Sequence, residues 1–548
     1  MKKADTIFEG GAVLTLDARN SVAQSIAVAD GRILACGSDH DIAAFVGPGT
    51  KRVSLGNRFV MPGLIESHTH ALWGACRDLF EVYVGYSATT NGLAQAVRQR
   101  AGEIGSDNWI RGGPWLYDMR SELGMTPRAW LDALAPMHPV ALFDTSQHAV
   151  WCNSRALALA GLHEGSPPID GGIIERAADG TLTGFLAEAG IAPIRKCSAE
   201  TPAQLRQACD YAMSYLNALG YTGFKEPMAD EATLATYAQA CDEGRWTIHG
   251  AAHITAYSPL SDGMVPMDDI DKLRQTYARD DLRLGYAKLF LDGVAPAHTA
   301  SFLDPYQPAQ GYDPSKHDPD ATLLMSPDAL NDKLIELDCC GYVVKMHAVG
   351  DNAIRKGLDA IEAAREANGM SGLRHEIAHS AFVTDADLPR FAALDAIAEV
   401  SPKLWMPNTA TPAQNMVLSP EQMTKLHRIR DLMDAGAEVI FGTDWPASAP
   451  DADPWTGLAG MLNRQDSSGT YQGALNPGQA VSLNRALGIF TRNAARAMGM
   501  ADETSTLSPG AWADFIVLPH DIRDMTPEQI GAIKVQETVW KGQTVFAR

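Results

Sequence analysis

Met61-Pro62-Gly63-Leu64-Ile65-Glu66-Ser67-His68-Thr69-His70 is the stretch that decides how this chain is read. An apolar run ends in two histidines one residue apart. Side chains alternate faces along an extended strand, so His68 and His70 point one way and Thr69 the other. Two imidazoles at the end of a buried strand are placed to share a metal ion. The competing reading is a pair of incidental polar residues at a strand end. Ligands downstream would separate the two.

Working outward, the centre of the chain alternates strand-like runs with helical ones, the pattern of βα units around a parallel sheet. After His70 come Tyr221-Thr222-Gly223-Phe224, Thr247-Ile248-His249-Gly250-Ala251 and Leu284-Gly285-Tyr286-Ala287-Lys288-Leu289-Phe290. Then follow Tyr342-Val343-Val344-Lys345-Met346-His347, the run 373–379, the run 396–400, and Glu438-Val439-Ile440-Phe441-Gly442-Thr443-Asp444. With the His68 strand these make eight, enough to close a barrel. Between them, Asp351 is positioned to cap a helix whose Ile354, Leu358 and Ile361 share one face.

Parallel strands closed into a barrel bring their C-terminal ends around one mouth, where catalytic residues collect. Strand one ends in His68 and His70, strand four carries Lys288, strand five ends in His347, strand six in His379 and strand eight in Asp444. Singly, Lys288 reads as a snorkelling surface residue and Asp444 as a helix cap before Trp445-Pro446. Together they read as one site.

The expected class is therefore α/β, a (β/α)8 TIM-like barrel over residues 61–445, with helices continuing to about 504. Short strand-like runs at both termini suggest one small β-sandwich made of residues 1–60 and 446–548, mainly 505–548. Residues 75–215 do not fit the strand count. They carry their own strand-like run, 139–143, and read as an insertion after strand one.

Composition bounds the partners. The chain has 548 residues, 46% hydrophobic and 20% charged, as globular proteins do. A formal charge of −21 argues against nucleic acid and anionic membrane surfaces. No signal peptide and no bilayer-spanning apolar run is apparent. The eight cysteines lack CxxC spacing, so reduced thiols and a cytoplasmic location are expected. The partner expected is a small-molecule substrate, and a homodimer is allowed.

With these residues in view, the chain resembles the amidohydrolase superfamily over essentially its full length. The likeness is to the amidohydrolase-3 branch of YtcJ-like proteins and N-substituted formamide deformylases. General features are Ala27-Val28-Ala29-Asp30-Gly31-Arg32-Ile33 and the Pro62-Gly63 before the histidine pair. More specific are Gln147-His148-Ala149-Val150-Trp151-Cys152-Asn153-Ser154, Lys288-Leu289-Phe290-Leu291-Asp292-Gly293, His347-Ala348-Val349-Gly350-Asp351 and Gly442-Thr443-Asp444-Trp445-Pro446. Two motifs depart from the branch. Glu376-Ile377-Ala378-His379 stands where Arg-Ile-Glu-His is usual, leaving His375 as a competitor to His379. Val294-Ala295-Pro296-Ala297-His298 replaces a stretch rich in glycine and serine, which points to an altered pocket.

Histidine and carboxylate ligands suit Zn²⁺, with room for water in the open coordination. A protonated ammonium cannot bind a cation, so Lys288 must be neutralised there. The resemblance implies a carboxylated Lys288 bridging two metals, one held by His68, His70 and Asp444 and the other by His347 and His379. A bridging water would supply hydroxide for attack on a carbonyl carbon. Asp444 would take its proton and pass it to the leaving nitrogen.

His148 is a further catalytic candidate, while His298, Trp73, Trp115 and Trp405 are candidates for contact with substrate. Glu66 and Asp351 are possible partners of the ligand imidazoles, or helix caps. The expected activity is hydrolysis of a C–N bond in an amide, N-substituted formamide, carbamate or related N-acyl compound. The alternatives are an esterase or lactonase, a cyclic amidine deaminase using one metal, and an inactive relative that binds a small molecule.

Overall fold

The computed structural model describes residues 2–85, 89–116, 119–144, 148–259, 263–309, 312–408 and 410–548. The chain divides into two compact units, one of Met1–Ala71 with Asp210–Arg548 and the other of Leu72–Cys209.

In the first unit the predicted barrel is present. Its strands are β1 (Leu64–Glu66), β2 (Tyr221–Ala229), β3 (His249–Thr255), β4 (Leu282–Phe290), β5 (Val343–Ala348), β6 (Glu376–His379), β7 (Ile397–Val400) and β8 (Glu438–Phe441). Neighbours in sequence are neighbours in the sheet, and every pairing is parallel. Between β8 and β1 the ring is closed by Ser67 N–H donating to Phe441 O (3.0 Å) and Asp444 N–H to His68 O (2.8 Å). Gly442 makes that approach possible, because a Cβ there would stand 2.1 Å from His68 Cβ. The seam thus sets Asp444 against His68 through the backbone.

Buried strands need helices to cover their outer faces. The helix Asp351–Asn368 does so with Ile354, Leu358 and Ile361 inward. Its N-cap is Gly350, not Asp351. The Asp351 carboxylate instead accepts the Leu303 N–H at 2.8 Å and so anchors the loop after β4.

Both chain ends join one six-stranded sheet, in the order 543–547, 537–540, 515–518, 59–62, 12–14, 22–23. A four-stranded sheet of 32–37, 25–29, 6–9 and 51–54 shares its core. Phe8 meets Phe515 edge to face at 4.9 Å, with Val13, Ile26, Val60, Val517 and Val539 buried around them. Each such side chain contributes about 1.5–3 kcal/mol by leaving water.

The second unit is built on its own six-stranded sheet of 172–176, 182–188, 149–152, 140–144, 110–115 and 81–83. The sequence announced one of these strands. The others are short, and Gly112-Gly113-Pro114 interrupts the alternation of one of them. Among the described residues no helix is long and apolar enough to cross a membrane.

Candidate metal centre

The residues just beyond β1 and β8 converge on one point; regular strand ends at Glu66 and Phe441, so His68 and His70 stand past the strand that was expected to carry them. His68 Nδ1 lies 2.7 Å from Glu399 Oε2, and His70 Nδ1 lies 3.4 Å from Glu226 Oε1. Each imidazole is thereby turned so that Nε2 faces Asp444 Oδ1, at 3.5 Å from His68 and 3.4 Å from His70. The ligand atoms of these three buried residues all lie within 4.8 Å of one another. A carboxylate on Nδ1–H fixes the tautomer that leaves the Nε2 lone pair free, the arrangement common to metal-ligating histidines.

The electrostatics point the same way. Burial alone would lower His70, but Asp444 and Glu226 on either side raise it to about 9. His68 runs the other way: burial and the Lys288 and Lys345 charges push it well below its ordinary value, so that imidazole is neutral. Burial would raise Asp444, yet the His70 hydrogen bond and the nearby imidazoles hold it far below the usual carboxylate range. Its other oxygen accepts from the Ser448 hydroxyl.

His347 and His379 form a second group. His379 Nε2 lies 3.1 Å from His347 Nδ1, and the His379 ring is 5.0 Å from that of His68. His347 Nε2 lies 3.2 Å from Gly293 O, and His379 Nδ1 3.3 Å from Ser401 Oγ. Burial pushes His347 down to about 4 and His379 to about 3, so both rings are neutral at pH 7. The two nitrogens facing one another are those a second cation would use.

Lys288 is buried with Nζ 4.8 Å from the Phe290 ring centroid. Burial and the Lys345 charge bring it down to about 8, against the pull of Glu399 and Asp444. His375 is not in this constellation. It precedes β6; its Nδ1 accepts from Val344 N–H and its Nε2 faces Asp338 Oδ1, on the helix Pro327–Cys339, at 3.0 Å.

Sequence reasoning missed the groups that hold the ligands. Glu226 and Glu399 back the two histidines. Behind them, wholly buried, runs a ladder of charge: Lys225 Nζ pairs with Glu376 Oε1, and Lys345 Nζ lies 3.1 Å from Glu376 Oε2 and 2.5 Å from Glu399 Oε2. The available signal was a lysine or glutamate inside a run otherwise buried on both faces, as in Val343-Val344-Lys345-Met346. Glu66 does not touch the imidazoles. Its carboxylate accepts the His68 and Thr443 N–H groups and so holds the β1–β8 seam.

The remaining candidates fall in both units. His148, half-exposed and 3.1 Å from Glu188 Oε2, belongs to the second unit, as do Trp73 and Trp115. Gln147, which opens that motif, lies outside the described residues. Trp115 is packing: it stacks on Trp151 at 4.4 Å and gives its indole N–H to Leu142 O. Trp73 is 39% exposed on the helix Ala71–Phe80. Trp405 is fully buried over Gly460. His298 packs against Tyr306 at 4.7 Å and Tyr312 at 5.8 Å.

Known proteins resemble this chain along nearly its whole length. The chain is 27% identical to N-substituted formamide deformylase of Arthrobacter pascens, over 99% of this chain and 98% of that protein. It is also 27% identical to Protein LONG AFTER FAR-RED 3 of Arabidopsis thaliana, over 96% and 89%. Among solved structures, an uncharacterized metal-dependent hydrolase of Pyrococcus horikoshii OT3 has the same fold. Its TM-score is 0.76 at 24% identity, covering 95% of this chain and 99% of that one. The Amidohydrolase family profile matches residues 51–546, barrel, seam and both histidine groups included, and the chain belongs to that family.

Proposed function

We propose that this protein is a metal-dependent hydrolase that cleaves the C–N bond of a small amide, N-substituted formamide, carbamate or related N-acyl compound. The observation that carries the reading is the convergence of His68, His70 and Asp444, with each imidazole backed by a carboxylate. Full-length similarity to a protein named for deformylation supports the bond type.

The donor set fits a divalent metal, zinc by its imidazole and carboxylate character. His68, His70 and Asp444 would hold one ion. His347, His379 and a carboxylated Lys288 would hold a second, with Lys288 shared. When bound, such an ion polarises a carbonyl and makes water more acidic.

The chain's own groups do the rest. Asp444 is ionised throughout the working range and stands at the mouth. It accepts a proton from the attacking water as the oxygen adds to the carbonyl carbon. It returns that proton to the nitrogen as the C–N bond breaks, leaving an acid and an amine. Ser448, donating to Oδ2, keeps Oδ1 turned toward the histidines. The eight cysteines are free, which supports a cytoplasmic setting.

Elemental analysis of purified protein and a screen of formamides, acyl anilides and lactones test the reading. Close to two divalent ions per chain and turnover of N-acyl compounds are expected. Full activity without bound metal, surviving strong chelators, would overturn it, and turnover of lactones alone would move the bond from C–N to C–O.

A further inference from the structure

Arg464 is among the largest fully buried side chains of the protein. It ends the helix Pro454–Asn463, and its Nε donates to Leu475 O at 2.8 Å. Nη1 and Nη2 are buried and meet no acceptor among the described residues. His427 is equally buried, and neither of its ring nitrogens has a partner among the described residues.

Hydrogen bonds tie the segments that carry these two residues to each other and to the loop after β6. His427 N–H donates to Ala381 O at 2.7 Å, two residues beyond His379. Asn476 clamps the loop that carries Leu475 by donating to Met423 O (2.9 Å) and Leu426 O (3.0 Å). Burial, then the charge of Arg464, then that of His379 push His427 down to about 3, so it is neutral and keeps one N–H to donate. Ala381, Phe382 and Leu426 form an apolar wall on which Leu475 packs.

A buried cation without a counter-ion is costly, and the fold tolerates that cost at few places. We propose that Arg464 and His427 form a carboxylate-binding subsite beside His379, so that the N-acyl compound hydrolysed carries a carboxylate. The word substrate rests on the hydrolase reading above; the anion rests on Arg464. A planar guanidinium fork matches a carboxylate two bonds at a time. One guanidinium with a neutral imidazole balances a single negative charge, whereas a phosphate dianion would call for another cation.

The test compares wild type with Arg464→Met and His427→Phe, all with their metal. Sodium acetate should raise the melting temperature of wild type, and sodium chloride at equal ionic strength should not. Arg464→Met should lose the acetate response while melting at or above wild type without acetate, because an unpaired buried charge has been removed. A purely structural arginine would lower it. Within a panel of N-acetyl amino acids and their carboxamides, wild type should favour the acids, and Arg464→Met should reduce that preference about 10²-fold, the worth of hydrogen bonds to a charged group.

An acetate response that persists in Arg464→Met, or is equalled by chloride, overturns the subsite. Should Arg464→Met fail to fold, His427→Phe takes its place in the same comparison. An Arg464-dependent acetate response without turnover of any N-acyl compound would leave the subsite standing and sink the hydrolase reading instead.

Discussion

Replacing Lys345 with methionine keeps the length of the side chain and removes its charge from the interior of the barrel. Burial would lower the lysine, but Glu376 and Glu399 raise it above its ordinary value, so it is charged in the fold. Its Nζ donates to Ser67 O at 2.6 Å as well as to Glu399. Without it Glu399 retains the His68 Nδ1–H, while its Oε1 has no partner among the described residues. Glu376 still has Lys225. Removing one partner of a buried pair costs about 3–5 kcal/mol. The unit that contains the barrel spans about 410 residues. At ~2.1 cal/mol/K per residue its unfolding entropy is about 0.86 kcal/mol/K, so the melting temperature should fall by about 4–6 °C. Lys345→Met/Glu399→Gln should recover at least half of that, because no uncompensated charge is left. Circular dichroism melts of proteins with matched metal content measure both. A single variant within about 1 °C of wild type, or a double variant no better than the single, would refute the claim that the ladder is closed by opposite charges.

Asp338 accepts from His375, Ser371, Asn368 and Arg365; burial opposes its ionisation, but these bonds hold it well below the usual carboxylate range. Its contribution is present above the unfolded carboxylate value, about 3.9, and is lost as pH falls through the folded one. Asp338→Asn should therefore cost about 2–3 kcal/mol at pH 7, and the gap in urea midpoint should narrow below about pH 4; a gap independent of pH would contradict this. Asp444→Asn should hold most of its metal and lose roughly 10²–10⁴-fold in turnover, and a metal-loaded variant with near-normal rate would move the base elsewhere. Lys288→Ala should lose metal and activity together and regain part with bicarbonate or a short carboxylic acid, whereas wild-type metal content would remove Lys288 from the ligand set. Truncation after Pro509 takes away the strands 515–518, 537–540 and 543–547 and should give insoluble protein; a soluble, active product would show that the terminal sheet is dispensable.

The barrel was legible because each strand announces itself by an apolar run, and because the groups at the run ends are of types that ligate metals. A ligand role for Lys288 came only from the resemblance, but His68, His70 and Asp444, which the fold brings together, could be singled out from position, as could His347 and His379. Their supports could not. Glu226 follows Lys225 and precedes Pro227, a composition that reads as the exit from a strand, yet β2 continues to Ala229. Glu399 and Lys345 lie inside apolar runs, where a charge looks like an interruption until its partner on the next strand is known. Arg464 and His427 are separated by 37 positions, and the clamp of Asn476 that ties their segments is not visible in the sequence. His375 and His379 are four residues apart and share strand parity, so the run alone left both open; the bond of His375 to Asp338 takes it out of the constellation.

The sheet shared by the two chain ends also has a consequence in time. Val60 pairs with Val517, and the strand Phe59–Pro62, buried throughout, leads directly into the ligand strand. At ~5–20 residues per second, synthesis of the intervening chain takes roughly 20–90 s. Until then the nascent protein carries an open apolar strand edge that its own partner cannot cover, and such edges template pairing with other chains. Yield during synthesis is thus a race between elongation and encounter, in which slower translation or a denser crowd of identical nascent chains favours aggregation over the finished enzyme.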